Sequence, residues 1–297
     1  MKTPGASDRQ IALAVDIGGT KIRVALVRRD GLILWSETGP TPRTYEPVAG
    51  QAEKLWQTVA SMVSEALRQG EPATAGVGCG GPMEGGNETV SPLNIAAWRS
   101  FPLRRRLQEI TGLPVRVEND AKALALGEGL WGGASGEQNY MAMVVSTGVG
   151  GGVVVGGRLL HGRTGNAGHV GHVVVNPGGR RCACGAAGCL EAEASGTAIE
   201  ALTRRPAAEA GPEIVERTGR MVGRAVGCVA NLLDLGLTTV AGSVAFGFGA
   251  PFFEAAQEEL AATARLSFSR DCQIVPSPLG PDGPVLGAAA VGFGETR

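Results

Sequence analysis

Two stretches of this chain carry the same device, and that repetition constrains the fold more than any other feature. Residues 11–30, IALAVDIGGTKIRVALVRRD, read as an apolar strand, a glycine corner and a second apolar strand, and residues 141–160, MAMVVSTGVGGGVVVGGRLL, repeat the order. Short apolar runs bounded by glycines are strand signals, and two runs joined by a tight corner make an antiparallel pair. The first pair continues through Asp30-Gly31 into LILWSE and so predicts a meander. At 297 residues the chain is long enough for two such lobes, each with its own core. With 47 glycines and only 4% aromatic residues, those cores must be built from Ala, Val and Leu between tight turns, which suits an α/β protein.

Between the two devices, QAEKLWQTVASMVSEALRQG (51–70) puts Leu55, Val59, Met62, Val63 and Ala66 on one helical face and predicts a helix closed by Gly70 as its C′ residue. ATAGVGCGGP (73–82) reads as a strand entering a glycine corner, LRRRLQEITG (103–112) as a short helix, and PVRVEND (114–120) as a strand with polar residues at its C-terminal end. Binding groups collect at such strand ends in α/β proteins. Further on, residues 212–236 predict a helix with Pro212 in its first turn and Val222, Ala225, Val226, Val229, Leu232 and Leu233 on its apolar face, followed by a strand TTVAGSVA (238–245).

The formal net charge of -1 and the lack of long Lys or Arg runs argue against a nucleic-acid or anionic-membrane partner. No segment is apolar for long enough to cross a bilayer, and MKTPGASDRQ has no signal-peptide core, so a cytoplasmic protein is expected. In a reducing compartment six cysteines point to metal or buried thiols; Cys79, Cys228 and Cys272 are expected to be inert core thiols.

The motifs carry the chemistry. In DIGGTK (16–21), Gly18 and Gly19 lack Cβ atoms, so backbone N–H groups and the Thr20 hydroxyl can face a phosphate while Asp16 holds Mg²⁺ through water. STGVGGG (146–152) offers the same chemistry, and two such corners suggest a nucleotide clamped between two lobes; neither is a P-loop. Gly76, Gly78 and Gly81 match a dinucleotide fingerprint formally, but Pro82 stands where a helix should open, and that reading is rejected. In END (118–120), Asp120 can take a proton from a substrate hydroxyl and Asn119 can orient that substrate; a helix N-cap is the plain alternative. His172, Cys182, Cys184 and Cys189 suit a closed tetrahedral Zn²⁺ site, with buried free thiols as the alternative, and the same loop would present His169 and Glu191 for hydroxyl recognition.

Together DIGGTK, SPLN (91–94), END, STGVGGG, GNAGHVGH (165–172) and CACGAAGCLE (182–191) resemble the ROK family, which contains glucokinases, N-acetylhexosamine and N-acetylmannosamine kinases, fructokinases and sugar-responsive repressors. The resemblance implies an α/β, actin-like ATPase (ribonuclease H-like) fold with two lobes and a central cleft. It places a small lobe at 1–118, with 285–297 packing back on it, and a large lobe at 119–284 with the zinc loop and the oligomer surface. It implies transfer of the ATP γ-phosphoryl group to a hexose 6-hydroxyl, with Asp120 as general base. Gly81, Asn94, Asn119, His169, His172 and Glu191 would line the sugar pocket. Asp16, Gly18, Gly19, Thr20, Lys21, Thr147, Gly148, Gly242 and Ser243 would serve ATP and Mg²⁺, and His172, Cys182, Cys184 and Cys189 a structural Zn²⁺. A homodimer or homotetramer is the family's usual state.

Two departures bear on substrate. Where the family's glucokinases commonly carry a carboxylate, this chain has His169, as some N-acetylmannosamine kinases do, so an amino-sugar or cyclitol kinase is the alternative. Ala241 stands in the adenine-side turn where a glycine is common. A regulator of the same family is a third possibility; such proteins carry a DNA-binding domain ahead of the kinase-like body, and here DIGGTK already begins at Asp16.

Overall fold

The computed structural model describes residues 10–42 and 50–294, and within them the chain divides into two compact units. The first comprises the described residues up to Trp131, His161–Asn166 and the residues from Pro281 onward; the second comprises Gly132–Leu160 and Ala167–Gly280.

In the first unit, β1 (Ile11–Ile17) and β2 (Lys21–Arg28) form the expected antiparallel pair, with Asp16 opposite Arg23 and Ile17 opposite Ile22. β3 (Ile33–Pro40) extends the meander. α1 (Gln51–Gln69) buries Leu55, Val59, Met62, Val63 and Ala66 as their spacing predicts. Gly70 does not close it as expected, because its backbone is extended rather than left-handed. The chain returns as β4 (Thr74–Cys79), parallel to β1, passes a hairpin of β5 (Met83–Glu84) and β6 (Thr89–Val90), then α2 (Leu103–Thr111), and adds β7 (Val115–Asn119) parallel to β4. The sheet order is β3-β2-β1-β4-β7. Gly76 and Gly78 lie inside β4, so no helix opens from the formal dinucleotide fingerprint. α3 (Asp120–Trp131) starts directly from the end of β7.

The second unit builds the same pattern. β8 (Tyr140–Val145) and β9 (Val149–Val155) are antiparallel, β10 (Arg158–Leu159) adds to β9, and β11 (Leu237–Ala241) and β12 (Gln273–Pro276) follow in parallel, giving β10-β9-β8-β11-β12. Its helices are α4 (Leu190–Ala194), α5 (Gly196–Thr203), α6 (Pro212–Leu233), α7 (Ser243–Phe248) and α8 (Ala250–Thr263). Pro212 opens α6, but Leu232 is 79% exposed rather than on the buried face. The strand predicted over 238–245 stops at Ala241: Gly242 adopts φ 110° and turns the chain into α7. Every described cysteine is free; Cys79 and Cys272 are buried, whereas Cys228 on α6 is exposed and so is no core thiol.

The last helix, α9 (Gly283–Phe293), packs on α3 and on β4 of the first unit. Thr74 Oγ1 and Arg116 Nη1 both donate to Gly292 O, at 2.9 and 2.8 Å, and so satisfy a carbonyl at its C-terminal end. This packing puts the division after Trp131 instead of at 118, because α3 belongs with α9 and β7. The return segment begins at Pro281, four residues earlier than expected, and residues 295–297 of that expectation lie outside the described residues.

Candidate active site

In the first unit the parallel strands β1, β4 and β7 end side by side, with Asp16 opposite Gly78 and Cys79 opposite Asn119. Asp120 follows at once as the first residue of α3. Gly78 faces both acids: a Cβ there would lie 3.7 Å from Asp120 Cα and 3.8 Å from Asp16 Oδ1. Burial and the Asp120 charge push the Asp16 carboxyl up to about 7, against the pull of Lys21 and Arg23. Burial and the same two acids also hold the Cys79 thiol well above its usual range. Such a surplus of negative charge fits a site that takes a divalent cation, with Asp16 as the residue that would hold it.

The glycine corner lies here with four of the predicted sugar residues, Gly81, Asn94, Asn119 and Asp120; His169, His172 and Glu191 belong to the second unit. Gly18 N–H closes the corner on Lys21 O at 3.0 Å, and Thr41 Oγ1 fastens Gly18 O at 2.7 Å; Thr20 and Lys21 are exposed. Any side chain at Gly19 would collide with Asn94, whose Nδ2 would stand 2.7 Å from its Cβ. Asn119 Nδ2 lies toward Gly81, 3.7 Å from where a Cβ would be. Asn119 caps α3, its Oδ1 accepting from Ala121 N at 3.1 Å and Lys122 N at 3.3 Å, while Asp120 Oδ1 also accepts from Ala121 N, at 2.8 Å. The cap therefore fixes Asn119 and leaves Asp120 exposed at the strand end.

Behind this end lies a charge cluster that the motif reading missed. Glu118 and Lys122 are buried, and Lys122 Nζ stands 3.2 Å from Glu118 Oε1, donates to Gly165 O at 2.7 Å and lies 3.4 Å from His161 Nδ1. Glu118 Oε1 also accepts Asn119 N–H at 2.9 Å. No local signal in the sequence marks this pair, because Glu118 lies on β7 and Lys122 on α3, so the helical i, i+4 rule does not apply. The pair fastens residues 161–166, the segment that leads to His169.

In the second unit the β8–β9 corner carries hydroxyls rather than acids. Ser146 N–H closes the corner on Gly148 O at 2.9 Å, and Ser146 Oγ meets Ser243 Oγ at 2.9 Å. Glu191 Oε2 accepts Val149 N–H at 3.0 Å and would lie 2.9 Å from a Cβ on Gly148, so only glycine allows that approach. Thr147 is exposed, and its carbonyl is held by Thr197.

His172 and the three cysteines also come together as predicted, with all four ligand atoms within 4.8 Å of one another. Cys184 Sγ is 3.7 Å from Cys189 Sγ, and Cys182 Sγ is 3.6 Å from His172 Nδ1. A tetrahedral Zn²⁺ with ordinary bond lengths has edges of about 3.8 Å between sulfurs and about 3.6 Å between sulfur and nitrogen, so the set fits that ion. His172 Nδ1 then belongs to the metal cluster, which leaves Nε2 for any other contact. The His169 and His172 rings lie 6.1 Å apart, and His169 is exposed. Buried Glu193 braces the loop by accepting from Arg180 N at 2.7 Å, from Asn176 Nδ2 and from Arg217.

The sequence pattern of the ROK family matches residues 12–292. The chain belongs to the ROK family. It is 34% identical to the N-acetylmannosamine kinase of Escherichia fergusonii, over 95% of this chain and 98% of that protein. It is 37% identical to the glucokinase of Streptomyces coelicolor over 69% of this chain, a match that spans only 62% of that relative's length. The structure superimposes on a ROK family glucokinase from Streptomyces griseus, solved with glucose and AMPPNP, with a TM-score of 0.81, 28% identity and coverage of 96% of this chain and 99% of that one. The fold is thus the actin-like ATPase fold of ROK kinases, with two α/β lobes. No helix among the described residues is long and apolar enough to cross a membrane.

Proposed function

We propose that this ROK protein is a sugar kinase that transfers the γ-phosphoryl group of ATP to the 6-hydroxyl of a hexose. The observation that carries the reading is the acid pair Asp16 and Asp120 at the ends of β1 and β7, one on each side of β4, with Asn94 against the Gly18–Gly19 corner and Asn119 beside Gly81.

Phosphoryl transfer demands positioning and charge neutralisation more than covalent chemistry. In this reading Asp120 is the general base: it is exposed at the strand end and accepts the proton of the attacking hydroxyl. In the first unit Asn94 and Asn119 are the groups that would hydrogen-bond the sugar's other hydroxyls; in the second unit His169, His172 and Glu191 offer the same chemistry. Asp16 holds Mg²⁺, which when bound neutralises charge on the β- and γ-phosphates. The backbone N–H groups and hydroxyls of residues 18–20 in the first unit, and of 146–148, Gly242 and Ser243 in the second, are the groups that would bind the nucleotide. His172, Cys182, Cys184 and Cys189 hold a structural Zn²⁺ that fixes the loop carrying His169 and Glu191.

One observation favours a second reading, an N-acetylmannosamine kinase. A neutral imidazole at His169 offers one donor and one acceptor where a carboxylate would only accept, which suits an acylamino substituent on the sugar. The similarity to the Escherichia fergusonii enzyme over nearly both full lengths supports it as well.

The test is ADP release with Mg²⁺ and ATP across glucose, mannose, glucosamine, N-acetylglucosamine and N-acetylmannosamine, with Asp120→Ala as control. Turnover of one of these sugars that collapses in the control is expected; a control within a few-fold of the parent would remove Asp120 from the role of base. Under the second reading N-acetylmannosamine leads, and His169→Glu shifts the kcat/KM ratio toward glucose.

A further inference from the structure

The β8–β9 corner is held from outside as well as by its own bond from Ser146 N–H to Gly148 O. α4 is only five residues long, yet it is bonded to the corner from both of its ends. At its start, Glu191 Oε2 takes the N–H of Val149, the residue after the corner, at 3.0 Å. Just past its end, Gly196 N–H donates to Ser146 O at 2.7 Å. Thr197 then gives both of its donors to one acceptor: its N–H reaches Thr147 O at 3.3 Å and its hydroxyl reaches the same oxygen at 2.9 Å. The connection is anchored in the core, since Leu190 and Ala194 are wholly buried, and Ser195 Oγ caps the following helix on Ala198 N at 3.0 Å.

These bonds fix three consecutive peptide groups of a turn whose N–H groups must all point one way to receive a phosphate. A corner of three residues, one of them glycine, has many conformations of its own, and each strap removes some of them before a ligand arrives. The Thr147 carbonyl is the most telling position. Both of its donors come from Thr197, so the orientation of this carbonyl is set by one residue outside the corner. Thr197 is exposed, so burial of its methyl group does not explain its place.

We propose that Thr197 is a positioning residue for the phosphoryl donor, and that α4 acts as a strut holding the donor corner at a fixed spacing from Glu191 on the acceptor side. The proposal rests on the kinase reading and adds to it a residue that touches neither substrate. It predicts a separation of effects: loss of the Thr197 hydroxyl loosens the donor corner and leaves sugar recognition alone, because Glu191 is tied through its own bond to Val149.

The test is equilibrium binding of Mg²⁺·AMPPNP and, separately, of the preferred sugar to the parent, Thr197→Val and Thr197→Ser, with melting temperatures alongside. Valine keeps the branched shape and deletes the hydroxyl; serine keeps the hydroxyl. The loss of one such bond should weaken AMPPNP by about five- to tenfold in Thr197→Val. Thr197→Ser should recover most of this, with sugar affinity within about twofold throughout and KM for ATP rising more than kcat falls. Parent-like AMPPNP affinity in Thr197→Val would overturn the proposal, as would a serine variant as weak as the valine one. Equal loss of sugar and nucleotide affinity would overturn it too, since it would mark general disturbance of the unit. A parent that binds no AMPPNP and phosphorylates no sugar brings down the kinase reading itself, an outcome distinct from a binding parent with an indifferent Thr197.

Discussion

At the C-terminal ends of β1, β4 and β7 the chain places Asp16, Cys79 and Asn119 followed by Asp120; at the matching ends of β8, β11 and β12 it places Ser146 and Thr147, then Gly242 and Ser243, then Ser277. The strand order is the same in both sheets, and so is the antiparallel corner that opens each one. Only the chemistry at the ends differs. In the first sheet residues 18–21 are enclosed by the pair Ile17–Ile22, and in the second residues 146–148 by Val145–Val149. Topology alone therefore does not assign a role to a strand end. Carboxylates suit proton transfer and cation binding but repel a triphosphate, whereas hydroxyls and backbone N–H groups receive a triphosphate without that repulsion.

The largest expected effect comes from removing the acid that has no counterpart in the second sheet. Asp120→Asn should lower kcat by about 10²–10⁴-fold, the usual worth of a positioned base, while AMPPNP affinity stays near that of the parent. A variant that keeps its rate would erase the chemical distinction drawn between the two ends.

Stability should separate the ends next. Lys122→Met strands the buried Glu118 carboxylate and should cost about 3–5 kcal/mol in urea unfolding, because the charge loses its partner without regaining water. The double variant Glu118→Gln, Lys122→Met should recover much of that loss. A single variant as stable as the parent would mean that this pair does not hold together the strand end that carries Asp120. Ser146, at the corner of the second sheet, carries no charge, and its hydroxyl bond to Ser243 Oγ is exposed, so Ser146→Ala should cost well under half as much.

A pH series sharpens the same contrast. Asp16 has a folded-state pKa of about 7, above the value of 3.8 for an unperturbed carboxyl, so the folded state binds its proton more tightly than the unfolded state does. The stability this contributes is complete below about pH 4 and lost as pH rises through about 7. In Mg²⁺-free buffer the loss should amount to at most about 4 kcal/mol. Asp16→Asn should flatten that window, and Asp120→Asn should shift it to lower pH by removing the neighbouring charge. Parallel unfolding profiles for parent and Asp16→Asn between pH 4 and 7 would refute the coupling.

How much of this was legible in the sequence follows the range of the interactions involved. Both glycine corners, the strands around them and the face of α1 were readable because apolar period and glycine placement act locally. The metal set was readable because three of its four ligands fall within eight residues. The exchange of residues 161–166 into the first unit was hidden, because it depends on Lys122 reaching Gly165 O, 43 residues away in sequence. Thr197 was hidden for the same reason, since nothing in ASGTA announces a bond to Thr147. The strand expected over 238–245 failed at a single residue: the apolar pattern continued, but Gly242 at φ 110° reversed the chain.

The smallest predicted effect tests the hydroxyl end on its own terms. Ser243 follows Gly242 at the end of β11, and its Oγ meets Ser146 Oγ at 2.9 Å, so the two hydroxyls order one another across neighbouring strand ends. Both are accessible to water, and solvent can replace a lost partner, so deletion should cost no more than an ordinary net hydrogen bond of about 0.5–1.5 kcal/mol. Ser243→Ala should therefore raise KM for ATP by about two- to tenfold, with kcat and sugar KM close to those of the parent. A change confined to sugar KM would move Ser243 to the acceptor side. That result would break the assignment of the hydroxyl end to the nucleotide at its most exposed point, because the end without acids of its own would then serve the sugar that Asp120 is proposed to deprotonate.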